Sequence, residues 1–446
     1  MTRTFALSVA LFASAGCGAR PLDPWLQPLE ESESVPPEAQ RDGDPARGYQ
    51  ALVTGDYIEL GVPFRGFQAA MSPLEEKDIL GGRGEKNGLV PYAYNVSVNK
   101  AGIEIVAPNC LSCHGSHVKG QLIVGLGNPD PVGNAPSGSA FNPTAVTAAL
   151  VDPKEIAEYK TYMTRLVTAV EAGPLSSFSN YAAHRDVNTL AWSDARRFDA
   201  ATGLVGVVDV PPLWRVKKKT GLYANGMGRG DQVGHLMNMS SFSVEDVADA
   251  ERIDGLFVDV AAFVRSIEPP KYPGAIDADR ARAGAAVFVA NCARCHGTYG
   301  PSGSYPNLLV PQAEVGTDPE LARRSWVNQA SVDWFKASAS GRRSRLEPKA
   351  GYIAPPLDGI WVTAPFFHNG SVPTLEAVLD SSQRPTQWGS AFAEDDYDLE
   401  AVGWKNTNRG RAYDTRQLGC SAEGHLFGDA LSADDRRAVL EYLKTL

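Results

Sequence analysis

Two short runs, Cys110-Leu-Ser-Cys113-His114 and Cys292-Ala-Arg-Cys295-His296, constrain this chain more than anything else in it. Two thiols at this spacing reach the two vinyl groups of one haem, and the adjacent histidine reaches its iron. A fold carrying such a run must wrap around a large, flat, mostly apolar group. A Cys pair has two other readings, a redox dithiol and half of a zinc site. A zinc ribbon sets its pairs about 15–20 residues apart, whereas these pairs lie far apart in a 446-residue chain. A redox dithiol does not require the following histidine, and both runs have it, each with a glycine next (Gly115 and Gly297). The runs therefore predict two covalently attached haem c groups, on Cys110 and Cys113 and on Cys292 and Cys295, with His114 and His296 as proximal iron ligands.

Covalent attachment of this kind is made outside the cytoplasm, and the N-terminus reads accordingly. Residues 1–16 carry one basic residue, Arg3, an apolar run from Phe5 to Ala13, and small residues before Cys17, which is the layout of a secretory signal. Ala15-Gly16-Cys17 is similar to a bacterial lipobox, in which Cys17 is lipidated. Ser14 departs from that pattern, and export with an unmodified Cys17 is the alternative. The expected location is the periplasm or surface of a Gram-negative bacterium, as an outer-membrane lipoprotein. No other apolar run approaches the ~20 residues of a spanning helix, so membrane contact is expected only through the anchor. Residues 17–47, rich in Pro, Glu, Ser and Asp, read as an acidic tether that buries little. With 42 basic against 52 acidic side chains and a formal net charge of −10, nucleic acid is excluded as a partner, because phosphate neutralisation needs clustered Lys and Arg. The same charge disfavours an acidic docking protein.

The surroundings of the two motifs suggest a duplicated plan. Residues 281–291 form a helix leading into Cys292, with Gly284 and Phe288 on one face. Ser243-Val-Glu-Asp246 opens a helix whose stripe Ile253, Leu256, Phe257, Val260, Phe263, Val264, Ile267 has helical period, and Pro269-Pro270 stop it. The chain end repeats this, with Ser432-Ala-Asp-Asp435 opening a helix that carries Val439, Leu440, Leu443 and Leu446 on one face. Asp152-Pro153 starts a further helix. The span from Cys110 to Ile267 nearly equals that from Cys292 to Leu446, so the expected domains are 48–268 and 275–446, joined at the Pro-rich 268–274. The fold expected is mainly α, with long loops over cofactors and little β.

Five histidines remain. His368 stands out because it sits in an apolar, restricted setting, with Pro365 and Pro373 fixing φ nearby and Gly370 permitting a tight turn. The segment Ala364-Pro-Phe-Phe-His-Asn-Gly-Ser-Val-Pro-Thr-Leu375, downstream of two haem motifs, resembles the bacterial di-haem cytochrome c peroxidase superfamily, and within it the latex-cleaving rubber oxygenases. Pro211-Pro-Leu-Trp-Arg-Val216, Gly226-Met-Gly-Arg-Gly-Asp231, Tyr413-Asp-Thr415 and Gly424-His425 are similar to the same branch. The resemblance runs from about Gly48 to the C-terminus. It implies two cytochrome-c-like domains with one haem each: a low-spin C-terminal haem that handles electrons, and an N-terminal haem with an open or displaceable face where hydrogen peroxide or dioxygen reacts. Carried over by position, it makes His296 proximal and His368 distal at the second haem, His114 proximal at the first, and places Trp214 between them.

For the distal side of the first haem, the candidates fall in Asp231-Gln-Val-Gly-His-Leu-Met-Asn-Met239. His235, Met237 or Met239 would close the iron, while Gln232 beside an open iron would hydrogen-bond a bound peroxide or dioxygen. The analogy favours the open site, with Trp214 and Gln232 as the catalytic pair. The chain is shorter than a rubber oxygenase, which makes polyisoprene a doubtful substrate and leaves an organic molecule or a redox protein as the further partner. The competing reading is a non-catalytic di-haem electron carrier. Cys420 is the one cysteine without an assigned role.

Overall fold

The computed structural model describes residues 21–129, 142–172, 177–201 and 208–446. The expected signal and Cys17 lie outside them, and no helix among the described residues is long and apolar enough to cross a membrane.

Each half is organised by one close crossing of two helices. In the first, Pro45–Thr54 packs against Val247–Ser266; in the second, Ala278–Asn291 packs against Ala433–Leu443. Both crossings depend on a glycine. A Cβ on Gly48 would collide with the Asp259 carbonyl, and one on Gly284 with the Ala438 carbonyl. The helix starts follow local chemistry. Ser432 caps the last helix by accepting from Asp435 N at 3.1 Å, and Asp277 caps Ala278–Asn291 through Arg280 N. The long helix of the first half begins at Val247 on an Asp246 cap, three residues later than expected from Ser243. The Ser243 hydroxyl is used elsewhere, accepting from Glu59 N at 3.0 Å.

The mainly α expectation with little β does not hold. The described residues contain fourteen short strands in six sheets of two or three strands each. The longest pair is the antiparallel hairpin Tyr94–Val98 with Glu104–Pro108, which runs straight into Cys110. The loops expected to lie over cofactors satisfy much of their backbone by pairing in these strands, as buried peptide groups must. Nor do two self-contained cytochrome-c-like domains appear. Val327, Trp334, Phe335 and Leu346 pack into the core of the first half. In return Val118, Leu126 and Trp214 pack into that of the second.

Residues 21–47 are also not a loose tether. They form a strap laid across both halves. Glu33–Ser34 pairs with Leu308–Pro311, and Glu38 meets Arg345 while Glu33 meets Lys349. Further along, Arg41 holds Asp231 and Asp254, both at 2.5 Å. The acidity read as solvation is partly pairing.

An internal repeat lies at the junction of the halves. Pro211-Pro-Leu and Pro355-Pro-Leu are offset by the same 144 positions that separate Trp214 from Asp358. The turns that follow match in detail. Tyr223 and Phe367 have φ of 67° and 68°, Gly226 and Gly370 have 61° and 67°, and the bridges Leu222 to Gly228 and Phe366 to Val372 close the turns. The two copies exchange hydrogen bonds as subunits of a two-fold dimer would: Asp209 N donates to His368 O, and Ile353 N donates to Ala224 O, both at 2.8 Å.

Candidate haem-binding sites

Both Cys-x-x-Cys-His runs fold as single helical turns. His114 N and His296 N donate to the carbonyls of Cys110 and Cys292 at 2.9 and 3.0 Å, which puts both thiols and the histidine on one turn. The Tyr57 hydroxyl fixes the first run: it donates to Leu52 O at 2.8 Å, accepts from Cys110 N at 3.2 Å and lies 3.7 Å from Cys110 Sγ. Burial pushes the Cys110 and Cys292 thiols up to about 11 and raises Cys113 and Cys295 as well. A redox-active pair shows the opposite shift, toward thiolate.

The two histidines share one arrangement. His114 Nδ1 lies 3.1 Å from Pro211 O, and His296 Nδ1 lies 2.8 Å from Pro355 O. The carbonyl fixes the proton on Nδ1 and leaves Nε2 as the lone-pair nitrogen, which is the outer partner a metal-bound histidine ordinarily has. Burial holds His114 neutral, down to about 4, and lowers His296 too. The residues thus fit a haem at each run: two thiols on one turn and a neutral imidazole whose free nitrogen is preset. The accepting carbonyls belong to the two copies of Pro-Pro-Leu. Trp214, three residues after Pro211, is fully buried and donates from Nε1 to Asp358 O at 2.8 Å, three residues after Pro355. Trp214 therefore stands on the bonded path from one histidine to the other.

His368 is half-buried in the apolar setting the sequence expects, but its Nε2 lies 3.1 Å from the Tyr352 hydroxyl and its ring stacks on Tyr352 at 4.2 Å. That hydroxyl donates to Asp318 O and accepts from Ala322 N. The ring facing His296 belongs to His425, with centroids 6.1 Å apart. Two imidazoles on opposite sides of one metal ion, at about 2.0–2.1 Å per bond, would have their centroids roughly 6–6.5 Å apart, whereas a tetrahedral pair would lie closer. The His425 Nδ1 is buried without a hydrogen-bond partner, and burial together with the nearby His296 holds the ring neutral, down to about 3. By contrast His117 is bonded to Lys77 O, His184 to Ser193 O, and His235 to Arg229 O with Tyr223 near its other nitrogen.

The Phe-Phe-His-Asn-Gly turn backs His425. Phe367 packs against His425 at 5.8 Å. The fully buried Asn369 donates from Nδ2 to Gly419 O and Ser421 O. Asp318 Oδ2 accepts from Ser421 N at 2.9 Å. Gly424, at φ 76°, touches the Gly316 backbone so closely that no side chain fits there.

At the first run no described histidine faces His114. Gln232 uses its Nε2 on the backbone, donating to Val216 O and Lys219 O at 3.1 and 3.0 Å and closing the end of the turn Leu213–Lys218 that carries Trp214. Met237 is buried in the core, and the sulfur of Met227 accepts from Trp326 Nε1 at 3.1 Å. Beside this run lies a mostly apolar cavity of about 290 Å³, lined by Ile58, Pro108, Tyr162, Leu166, Tyr181 and Phe242. The sequence reading missed His425, Asn369, Tyr352 and the two prolines. The repeated Pro-Pro-Leu was the signal available for the prolines, and nothing beyond Gly424-His425 marked the ring that faces His296.

Residues 351–389 match the family described as RoxA-like, cytochrome c-like. Residues 279–342 match cytochrome c oxidase, cbb3-type, subunit III. The uncharacterized protein y4iJ of Sinorhizobium fredii (strain NBRC 101917 / NGR234) is 30% identical over 250 residues, 40% of this chain and 41% of its own length. The uncharacterized protein y4iM of the same strain is 26% identical over 292 residues, 54% of this chain and 64% of its own. The chain thus spans under two thirds of the length of either relative. The matches support a c-type cytochrome with covalently bound haem c and haem-based electron transfer.

Proposed function

We propose that this chain is an exported di-haem c-type cytochrome of the di-haem peroxidase superfamily, with a rubber-oxygenase-like arrangement. In this reading the first haem activates hydrogen peroxide or dioxygen and the second passes electrons. Cys110, Cys113 and His114 hold the first haem; Cys292, Cys295 and His296 hold the second, with His425 in place of His368 as its distal ligand. The haems supply the redox chemistry, and the chain supplies ligation, polarity and access.

The observation that carries the reading is an asymmetry on a duplicated scaffold. The two proximal arrangements are alike to the atom, yet His425 faces His296 while no described histidine faces His114. An iron closed by two imidazoles favours electron transfer, and one left open on one face favours binding of a small oxidant. The apolar cavity bordered by Pro108, two residues before Cys110, offers an organic substrate a place near this run. Trp214 joins the two sites, and Gln232 keeps it in position without contacting the oxidant.

The oxidised protein should show one high-spin and one low-spin haem by EPR and absorption, and its reduced form should bind carbon monoxide at one haem only. Two low-spin haems that bind neither carbon monoxide nor cyanide would sink the catalytic reading and leave an electron carrier. His425→Ala should turn the low-spin signal high-spin, with both covalent attachments intact.

A further inference from the structure

We infer that Arg384 is the positioning residue that sets how firmly the second haem is closed; this rests on His425 being its distal ligand. Arg384 is a half-buried guanidinium with five N–H donors, and all five go to backbone carbonyls. Nε donates to Ala377 O at 3.0 Å and Nη2 to Val378 O at 3.3 Å, both at the C-terminal end of the short helix Leu375–Leu379. Nη1 donates to Ala422 O at 2.8 Å and Gly424 O at 2.7 Å, and Nη2 also reaches His425 O at 3.3 Å. The flat face of the same guanidinium lies over the Phe367 ring at 5.0 Å, and Phe367 packs against His425.

One side chain therefore ties three things together: a helix end whose carbonyls have no partners within the helix, the loop that presents His425, and the ring that backs His425. The helix end favours a cation, because carbonyl dipoles converge there. The loop itself needs holding. His425 sits at φ 48°, a conformation disfavoured for any residue but glycine, and Gly424 before it is at φ 76°. A backbone kept there by outside bonds relaxes when those bonds go, and the imidazole moves with it. Lysine cannot substitute, since its three donors radiate from one point and cannot span both segments.

The test uses the full haem-loaded protein and follows cyanide binding to the oxidised form by stopped-flow absorption. Wild type should show a fast phase from the first haem and a slow phase set by release of His425. Arg384→Gln should speed the slow phase at least about tenfold, the equivalent of about 1.4 kcal/mol in the closed state, and raise the high-spin fraction on warming. If the Gln variant fails to load haem, Arg384→Lys should show the same change with normal loading and circular dichroism. An unchanged slow phase in a folded Arg384 variant, even one with a lower melting temperature, would overturn this role. His425→Ala separates the two ideas: it should abolish the slow phase, and a slow phase that survives it refutes the ligand assignment itself.

Discussion

Replacing Trp214 with Phe tests the joint between the halves. The indole is fully buried, its Nε1 donates to Asp358 O at 2.8 Å, and it lies against Gly359, whose φ of 64° and close contacts leave no room for a side chain. Phe keeps the apolar ring and removes the N–H. The lost hydrogen bond costs ~1 kcal/mol net. It does not cost the full penalty of a stranded carbonyl, because Asp358 O still accepts from Arg215 Nε at 3.3 Å. The unfilled space, ~40 Å³, adds ~1 kcal/mol at about 24 cal/mol per Å³. The expected loss is therefore ~2 kcal/mol in denaturant unfolding of the haem-loaded protein, followed by circular dichroism and by haem absorption. Both haems should keep their ground-state spectra, while electron exchange between them after partial reduction should slow. A loss under about 0.5 kcal/mol would refute the packing argument. An unchanged exchange rate would refute the path through the indole.

Gly284→Ala should destabilise the second half by about 1–3 kcal/mol through overpacking at the helix crossing, read as a lower midpoint for the haem at Cys292 with the first haem less affected; equal loss at both would contradict separate crossings. Asp209 tests the pH behaviour of the junction. Burial holds its carboxyl well above the ordinary carboxylate range despite the nearby Arg215. The folded state then keeps a proton that the unfolded chain has lost above about pH 4, so stability falls as pH rises from there toward the folded-state value. Asp209→Asn removes that contribution, and its stability gain over wild type should grow between pH 4 and pH 7 in urea melts; a constant difference would show that the carboxyl is already ionised.

The two Cys-x-x-Cys-His turns were legible in the sequence because their geometry is local: five consecutive residues contain it all. The helices around them were legible for the same reason, from caps such as Ser432 and stripes such as Ile253 to Val264. What failed was non-local. His368 and His425 are both half-buried imidazoles, and only the fold shows that Tyr352 engages one while His296 faces the other. Gln232 reads as a polar residue near an iron, yet its amide is used on two carbonyls that no local pattern reveals. The strands were too short for alternation to register, and pairs such as Glu33–Ser34 with Leu308–Pro311 depend on partners from the opposite half. The strap was misread because composition counts charges without showing which of them are paired.

That strap also has a consequence for the order of assembly. Glu38 and Glu33 find Arg345 and Lys349 across separations of 307 and 316 positions. Contacts that distant in sequence form late, after nearer ones have shaped the chain. In a chain made from its N-terminus, the earliest of the described residues are thus the last to be seated. Loss of residues 307–349 would take away the strap's partners and uncover the first half as well as the second, so damage within the second half would be felt at the beginning of the chain.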